Sequence, residues 1–573
     1  MPIQPSLAPR RPNWARPLTG IGRRRFLSLA GASGTWLAAT TGSALAAPAA
    51  GDDEASGGTA TDAGTSWWVN GVPSIDGIAA RIRDTLLATS RELPWYGRVI
   101  KGNSAGTLYA PIFVRDMATI QPALPFFLSR AFMQTPVEGF LASQDRFAPS
   151  DGAVAATLNA RGEVDKATVV SDEETSAVHA AFAYYRAFGG ADWLVSEVDG
   201  RRIIDRLGDA LGYLWAKRRW GDTSLLFRGH TTDWGDVKRS PGSEPTDLAF
   251  GDELTLSPFD QAWHFRALHD YAAMLDAVGQ PADAEVQRAR ATRVQAETHA
   301  QLWQPDRGHY RVHTHATDWT DPFDEDAVIP ISSVLSIFAG IASPDQLTPI
   351  FEAAARAEAA AGTNRAGLTL SPPYPDDFFQ SRRMASGEYQ NGAVWDWWGG
   401  LQIVSEFEHG HAERAIDHLD AVAQAWESVN GVHEWFHVPS QSGQGSTQFA
   451  GAAGTMAQAV IRGLFGVDVA TDSYRVTCRL GGRSGGLRAV RPGGGTIEVV
   501  QTVDQASVVL DLRADTGTNG LVALRLPNGW DNAIASVDGQ AVESRRWQAG
   551  NDSYLGLWNI GPGTHSIVAA KMT

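Results

Sequence analysis

Residues 260–279 read DQAWHFRALHDYAAMLDAVG. Trp263, Ala267, Tyr271 and Leu275 recur every four residues, flanked by Leu268 and Met274, which is the period of a helix with a buried face. Pro258 before it and Gly279 after it supply the start and stop signals. The same period returns in SAVHAAFAYYRAFGG (176–190), GRRIIDRLGDALGYLWAKRR (200–219), ADAEVQRARATRVQAETHAQLW (282–303), QLTPIFEAAARAEAAAG (346–362), HAERAIDHLDAVAQAWES (411–428) and AGTMAQAVIRGLFG (453–466). About a dozen such helices between Trp67 and Val467 predict six hairpins. Closed into a toroid, hairpins form an inner and an outer ring and gather their irregular loops over the floor of a funnel.

The pattern changes at about Asp468. TIEVVQTV (496–503), SVVLDLRA (507–514), LVALRLPNG (521–529), YLGLWNI (554–560) and HSIVAA (565–570) are short, β-branched and separated by Gly, Asn, Asp and Pro, as in a β-sandwich. The expected fold is mainly α: a helical toroid over 67–467 followed by a smaller β-sandwich over 468–573. Packing and stabilising the toroid is the simplest use of this second domain. The single cysteine, Cys478, falls in its strands, where a buried structural thiol is expected and no internal disulfide is available.

The N-terminus has a different character. Arg10, Arg11, Arg16, Arg23, Arg24 and Arg25 precede the apolar run FLSLAGASGTWLAATTGSALA, and Ala44-Leu45-Ala46 offers small residues for cleavage. RRRFL resembles the twin-arginine export motif, so residues 1–46 are expected to be a Tat signal peptide, with a secreted or periplasmic destination. Residues 47–66, small and polar, read as a disordered linker. Taking the six arginines from the formal net charge of −16 leaves −22, which argues against a nucleic-acid partner. No segment after the signal is long and apolar enough to insert stably in a membrane.

Of the 20 tryptophans, 15 lie between Trp67 and Trp435, and they cluster with acids in DWGD (233–236), GEYQNGAVWDWWGG (387–400) and WESVNGVHEWF (426–436). Large rings beside carboxylates suit a carbohydrate cleft, the rings stacking on sugar faces while the acids bind hydroxyls.

Four blocks, in order, carry a family resemblance: PIFVRDMATIQPAL (111–124), DWGDVK (233–238), EYQNGAVWDWWGG (388–400) and GVHEWF (431–436). Together they resemble the (α/α)6 six-hairpin glycosidases, closest in motif to the amylo-α-1,6-glucosidase (glycogen-debranching) type, with relatives among glucoamylases and processing α-glucosidases. The resemblance implies that Arg115 and Asp116 hold the non-reducing sugar, that Asp236 is the general acid with Trp234 beside the sugar, that Tyr389, Asn391 and Trp395 line the cleft, and that Glu434, next to Trp435, is the general base. Glu427 is the competing base. The matching helix of the family often starts with an acid in the funnel, which makes Glu174 a candidate sugar contact. The sequence departs from the family at Asp396, where proline is usual, and at Gly235, where a bulkier residue stands.

The chemistry has its own logic. Glycosidic cleavage needs one carboxyl group to protonate the leaving oxygen and a second on the opposite face to activate water. Asp233 is expected either to raise the pKa of Asp236 by its charge or to cap a helix or turn. The expected function is therefore an exported, inverting exo-glycosidase on α-linked glucosides or related oligosaccharides, needing no cofactor. On the same toroid the alternatives are a polysaccharide lyase or sugar epimerase using Tyr389 with His433 or His437, and an inactive sugar-binding protein. His230, His433 and His437 flank the catalytic blocks without the spacing of a third ligand, so no metal is expected. DPFDED (321–326) reads as a solvated acidic turn rather than a calcium loop.

Overall fold

The computed structural model describes residues 64–239, 246–249, 251–316, 322–379, 381–492, 494–530 and 532–571. The expected signal peptide and residues 47–63 of the expected linker lie outside them. Among the described residues, no helix is long and apolar enough to cross a membrane.

The stretch that announces the fold forms the helix Pro258–Ala277, with Pro258 at its first position and the Ser257 hydroxyl accepting from Phe259 N at 3.2 Å. Sixteen of its 20 residues are buried, and only a narrow stripe in its second half, His269, Ala273, Asp276 and Ala277, is left partly or fully exposed. It turns at Gly279, whose φ of +76° is left-handed and favourable to glycine, and the chain returns as Pro281–Leu302. Further pairs follow the same plan: Val114–Ile120 with Ala131–Ser143, Glu173–Tyr184 with Ile203–Lys217, Ser332–Ala339 with Pro344–Ala361, and Asp396–Glu408 with Ala412–Ser428. Ala450–Gln458 is partnered by the first helix, Pro73–Ala88.

One member of each pair is buried almost throughout. These six, in chain order Val114–Ile120, Glu173–Tyr184, Pro258–Ala277, Ser332–Ala339, Asp396–Glu408 and Ala450–Gln458, each pack against the next, and the last packs against the first. The ring of inner helices is therefore closed. Because an outer helix brings the chain back each time, all six inner helices run the same way, and the loops entering their N-termini meet at one end.

The strands after Asp468 form two sheets. The larger has seven strands and includes Gly485–Arg491, Gly495–Val503, Ser507–Ala514 and Gly563–Ala570; the smaller has five and includes Tyr474–Cys478, Gly520–Arg525 and Asp552–Ile560. Alternate residues are buried along them, as with Val508, Leu510, Leu512 and Ala514. Cys478 is free and buried at the end of its strand. The boundary expected between a linker ending at 66 and a helical domain starting at 67 is not kept: Ser66–Val69 is a strand, paired antiparallel to Gly485–Arg491 at the edge of the larger sheet. Trp67, read from sequence as the start of the helical part, instead buries its ring and donates Nε1–H to Ile75 O at 2.9 Å, joining that sheet to the first helix.

Candidate active site

The loops entering the inner helices carry nearly every residue singled out from sequence. Arg115 and Asp116 open the first inner helix. The Arg115 guanidinium donates through Nε to Asp172, the residue before the second inner helix, and its Nη1 lies 3.7 Å from Asp236 Oδ2 on the loop entering the third. One buried cation thus touches three loops.

The loop 228–239 is braced from below. Arg228, itself buried, donates to the carbonyls of Asp233 (3.0 Å) and Gly235 and faces Asp260 at 3.3 Å on the third inner helix. Arg239 N donates to His230 O at 2.9 Å, closing the loop at its neck. Asp236 is held at its tip by a reciprocal pair: Gln390 Nε2 donates to Asp236 Oδ1 at 2.8 Å, and Asp236 N donates to Gln390 Oε1 at 3.2 Å. Gly235 is required for that approach. A Cβ there would stand 2.5 Å from Thr232 Oγ1 and 2.8 Å from Gln390 Oε1.

Glu434 enters from the loop before the sixth inner helix. Tyr109 Oη donates to its carboxylate, 3.0 Å from each oxygen, and Ser446 N donates to Oε2 at 3.0 Å. Burial raises the Glu434 pKa to about 7, with the charge of Asp236 adding to the rise and the two donors opposing it. Burial likewise pushes Asp116 well above the usual carboxylate range, with Glu434 and Asp236 adding to the effect and Arg115 opposing it. Neither carboxylate oxygen of Asp116 has a hydrogen-bond partner. Tyr109 and Tyr389 are both raised, by burial first and then by the charges of Glu434 and Asp236. Asp116, Asp236, Glu434, Tyr109 and Tyr389 therefore gather around one place, the chamber, close enough for the charges of Asp236 and Glu434 to act on the others.

Several expected contacts have other duties. Trp234 and Trp395 are fully buried, edge to face at 5.1 Å, and Trp395 Nε1 donates to Tyr389 O at 2.7 Å, so they form the floor beneath the chamber rather than its lining. Trp397 and Trp398, stacked at 5.1 Å, extend that floor. Asn391 is a loop brace: Nδ2 donates to the carbonyls of Tyr374 and Met384, and Oδ1 accepts from Tyr374 N. The chamber residue of this block is its neighbour Gln390. Glu174 accepts from Val154 N at 3.0 Å and from Lys166 at 2.7 Å, a buried internal pairing rather than a sugar contact. Asp233, with φ +32°, accepts from Ser332 N at 3.0 Å, the first amide of the fourth inner helix, so the capping alternative describes it. Asp396 pairs with Arg365 and accepts from Trp426 Nε1, all inside the core. Trp435 is only partly buried, with its ring 6.2 Å from that of Tyr389. Glu427 is exposed on the last turn of its helix.

Tyr109 and Gln390, the partners of the two carboxylates, were not singled out from sequence. Tyr109 lies six residues before Arg115 in an irregular segment, with no periodicity to mark it. The histidines also differ from expectation. His437 is engaged with Ser440, but His230 is gathered with His313, His315, Glu253 and Glu325, a set with metal-ligand chemistry. Within the DPFDED turn, Glu325 accepts from His315 and from Tyr374 Oη, so it faces inward rather than into solvent; Asp321 lies outside the described residues.

No family model and no curated protein sequence matches the chain. Solved structures do resemble it. An α-L-rhamnosidase from Dictyoglumus thermophilum is 10% identical, with 90% of this chain and 51% of that one covered and a TM-score of 0.61. The Streptomyces avermitilis α-L-rhamnosidase complexed with L-rhamnose is 13% identical over 89% and 42%, with a TM-score of 0.58. A GH78 family rhamnosidase of Bacillus sp. GL1 is 14% identical over 82% and 43%, with a TM-score of 0.54. The chain thus spans about half the length of these structures, and at such identities what is shared is the fold.

Gly235→Ala is expected to push the Gln390 amide off Asp236 and to cost about 1–3 kcal/mol by overpacking. Chemical denaturation gives the stability change. A variant as stable as the parent would mean that the loop has slack the geometry denies.

Proposed function

We propose that the chain is a glycoside hydrolase of the (α/α)6 six-hairpin type, which releases a terminal α-linked sugar from an oligosaccharide with inversion. The observation that carries this reading is the placement of Asp236 and Glu434. Their loops enter the third and the sixth of six inner helices, opposite positions on the ring, yet each carboxylate bears on the ionisation of the chamber's tyrosines. In this reading the sugar and the attacking water lie between the two carboxyl groups. In this scheme Asp236 protonates the departing oxygen and Glu434 draws the proton from the attacking water, while the free oxygens of Asp116 bind sugar hydroxyls and Trp435 offers an apolar face. A near-neutral Glu434 pKa suits a base that must accept a proton during the reaction and lose it again afterwards.

The lyase and epimerase alternative fits less well. A tyrosine base must ionise readily, whereas Tyr389 is held neutral by burial and by the carboxylates around it. Those same carboxylates would repel the acidic sugar on which such enzymes act.

The rhamnosidases named above supply one candidate sugar, L-rhamnose; the sequence blocks supply another, α-linked glucose. Assaying the mature chain on both classes of oligosaccharide, with proton NMR of the anomeric region in the first minutes, tests substrate and stereochemistry together. An inverting enzyme keeps its carboxyl groups about 6.5–9.5 Å apart and gives first the anomer opposite to that of the substrate. Retention would overturn the role of Glu434 as a base. Asp236→Asn should lower turnover by about 10²–10⁴ on natural linkages, and much less on substrates with a very good leaving group.

The pH profile gives a second test. Glu434 must be ionised to act, so kcat/KM should fall as pH drops below about 7. Tyr109→Phe removes a donor that favours the anion, and the acidic limb should move up by about one pH unit, equivalent to about 1.4 kcal/mol. A tyrosine that merely fills space would lower the rate without moving the limb.

Export by the twin-arginine route belongs to the same proposal, on the strength of RRRFL and the small residues after the apolar run. Changing Arg23 and Arg24 to lysine should leave the precursor inside the cell, read by fractionation and blotting; unaltered secretion would refute it.

A further inference from the structure

Beside the 228–239 loop lies a group of side chains that the proposed hydrolysis does not use. A small three-stranded sheet of Thr314–His315, Leu254–Leu256 and Arg228–Gly229 brings together three distant segments, and a single helical turn, Glu325–Ala327, closes over them. From these project His230, Glu253, His313, His315 and Glu325. The His230 and His313 side chains are 2% and 1% exposed.

We propose that this group binds one divalent transition-metal ion of the zinc class, with His230 Nε2, His313 Nε2 and the Glu325 carboxylate as ligands. These three groups offer ligand atoms within 4.8 Å of one another. His230 Nε2 lies 3.3 Å from Glu325 Oε1, and His313 Nε2 lies 3.0 Å from Glu325 Oε2. Neither nitrogen makes a hydrogen bond, although an acceptor stands that near. Atoms so close and yet misaligned for a shared proton are what lone pairs converging on one point produce. Around zinc, with bonds of about 2.0–2.1 Å, ligand atoms stand about 3.3 Å apart along a tetrahedral edge, close to the spacings found.

The surrounding groups agree with this assignment. His230 Nδ1 is 2.7 Å from Glu253 Oε2, and since an ionised carboxylate can only accept, the ring proton sits on Nδ1 and leaves the Nε2 lone pair available. A carboxylate behind a ligating histidine fixes both its tautomer and its orientation. His315 bridges the two carboxylates, with Nε2 at 2.7 Å from Glu325 Oε2 and Nδ1 against Glu253 Oε1. Tyr374 Oη donates to Glu325 Oε1 at 2.8 Å and limits its rotation. Two histidines and a carboxylate form a donor set for zinc or a similar borderline ion, whereas calcium and magnesium prefer oxygen throughout. The ion would tie the neck of the 228–239 loop, at His230, to the segment around residues 313–325, and so hold in place the loop that carries Asp236. Binding would displace any proton held by the ligand nitrogens.

The test uses the full chain, stripped with a chelator and titrated with Co2+ alone, then with Zn2+. One equivalent of Co2+ should bind, with the visible absorption of a four- or five-coordinate ion; Zn2+ should displace it, and the melting temperature should rise with either metal. His313→Asn and Glu325→Gln, checked for folding by circular dichroism, should lose both the absorption and the thermal shift. Glu253→Gln, which keeps every ligand, should weaken binding by about 10–100-fold. The proposal is overturned if the stripped chain takes up no stoichiometric metal, or if His313→Asn and Glu325→Gln bind as the parent does. Should those two variants not fold, unchanged affinity in Glu253→Gln overturns it, and the expected weakening supports it.

Discussion

A single buried guanidinium holds the working end of the molecule together. Arg115 is fixed by Asp172 and faces Asp236, so its charge is shared among the loops entering three successive inner helices. A cation this deep is tolerable only with anionic partners, and removing one side of such a pair costs about 3–5 kcal/mol because the other is left buried and unpaired. The helices cannot shift independently while that charge is satisfied. Arg228 repeats the arrangement one layer lower, neutralised by Asp260 and spending its donors on the carbonyls of the 228–239 loop.

The aromatic residues divide by depth. Trp234, Trp395, Trp397 and Trp398 contact one another edge to face or stacked, with Phe259 and Phe449 at their margins, and make a rigid floor. Rings used in this way are unavailable to a ligand. What faces the chamber above them is polar: Tyr109, Tyr389 and Gln390, set among three carboxylates. Asp236 makes Glu434 and Asp116 harder to ionise, Glu434 adds to the effect on Asp116, and the same crowding keeps the tyrosines protonated, so they serve as donors. Tyr109 shows the use of this: its hydroxyl is spent on Glu434.

The β-sheets are less separate than their position in the chain suggests. The larger sheet takes its edge strand from Ser66–Val69, and Arg186 next to the second inner helix pairs with Asp468 at 3.0 Å where the strands begin. The chain is thereby stitched at both ends of the helical part, and the apolar interior runs without a break from the helices into the sheets.

The sequence by itself determined the elements and their order. The period of DQAWHFRALHDYAAMLDAVG, with Pro258 and Gly279 at its ends, fixes a helix because burial repeats with the helical turn, and β-branched runs such as SVVLDLRA fix strands for the equivalent reason. The blocks around Arg115, Asp236 and Glu434 stand out in the sequence as well, because charged residues cluster there, beside tryptophans in the last two, and the tertiary structure brings the three blocks to the same end of the inner helices. Contacts between segments were not. Gln390 rather than Asn391 reaches Asp236 because the chain turns at Tyr389 with φ +46°, and no local pattern states which of two adjacent amides a turn will present. Trp234 and Trp395 look alike in sequence whether they line a cleft or lie beneath it, because an indole suits both places. His230, Glu253, His313, His315 and Glu325 span nearly a hundred residues with no ligand spacing to read, and only the pairing of three short strands decides that they meet.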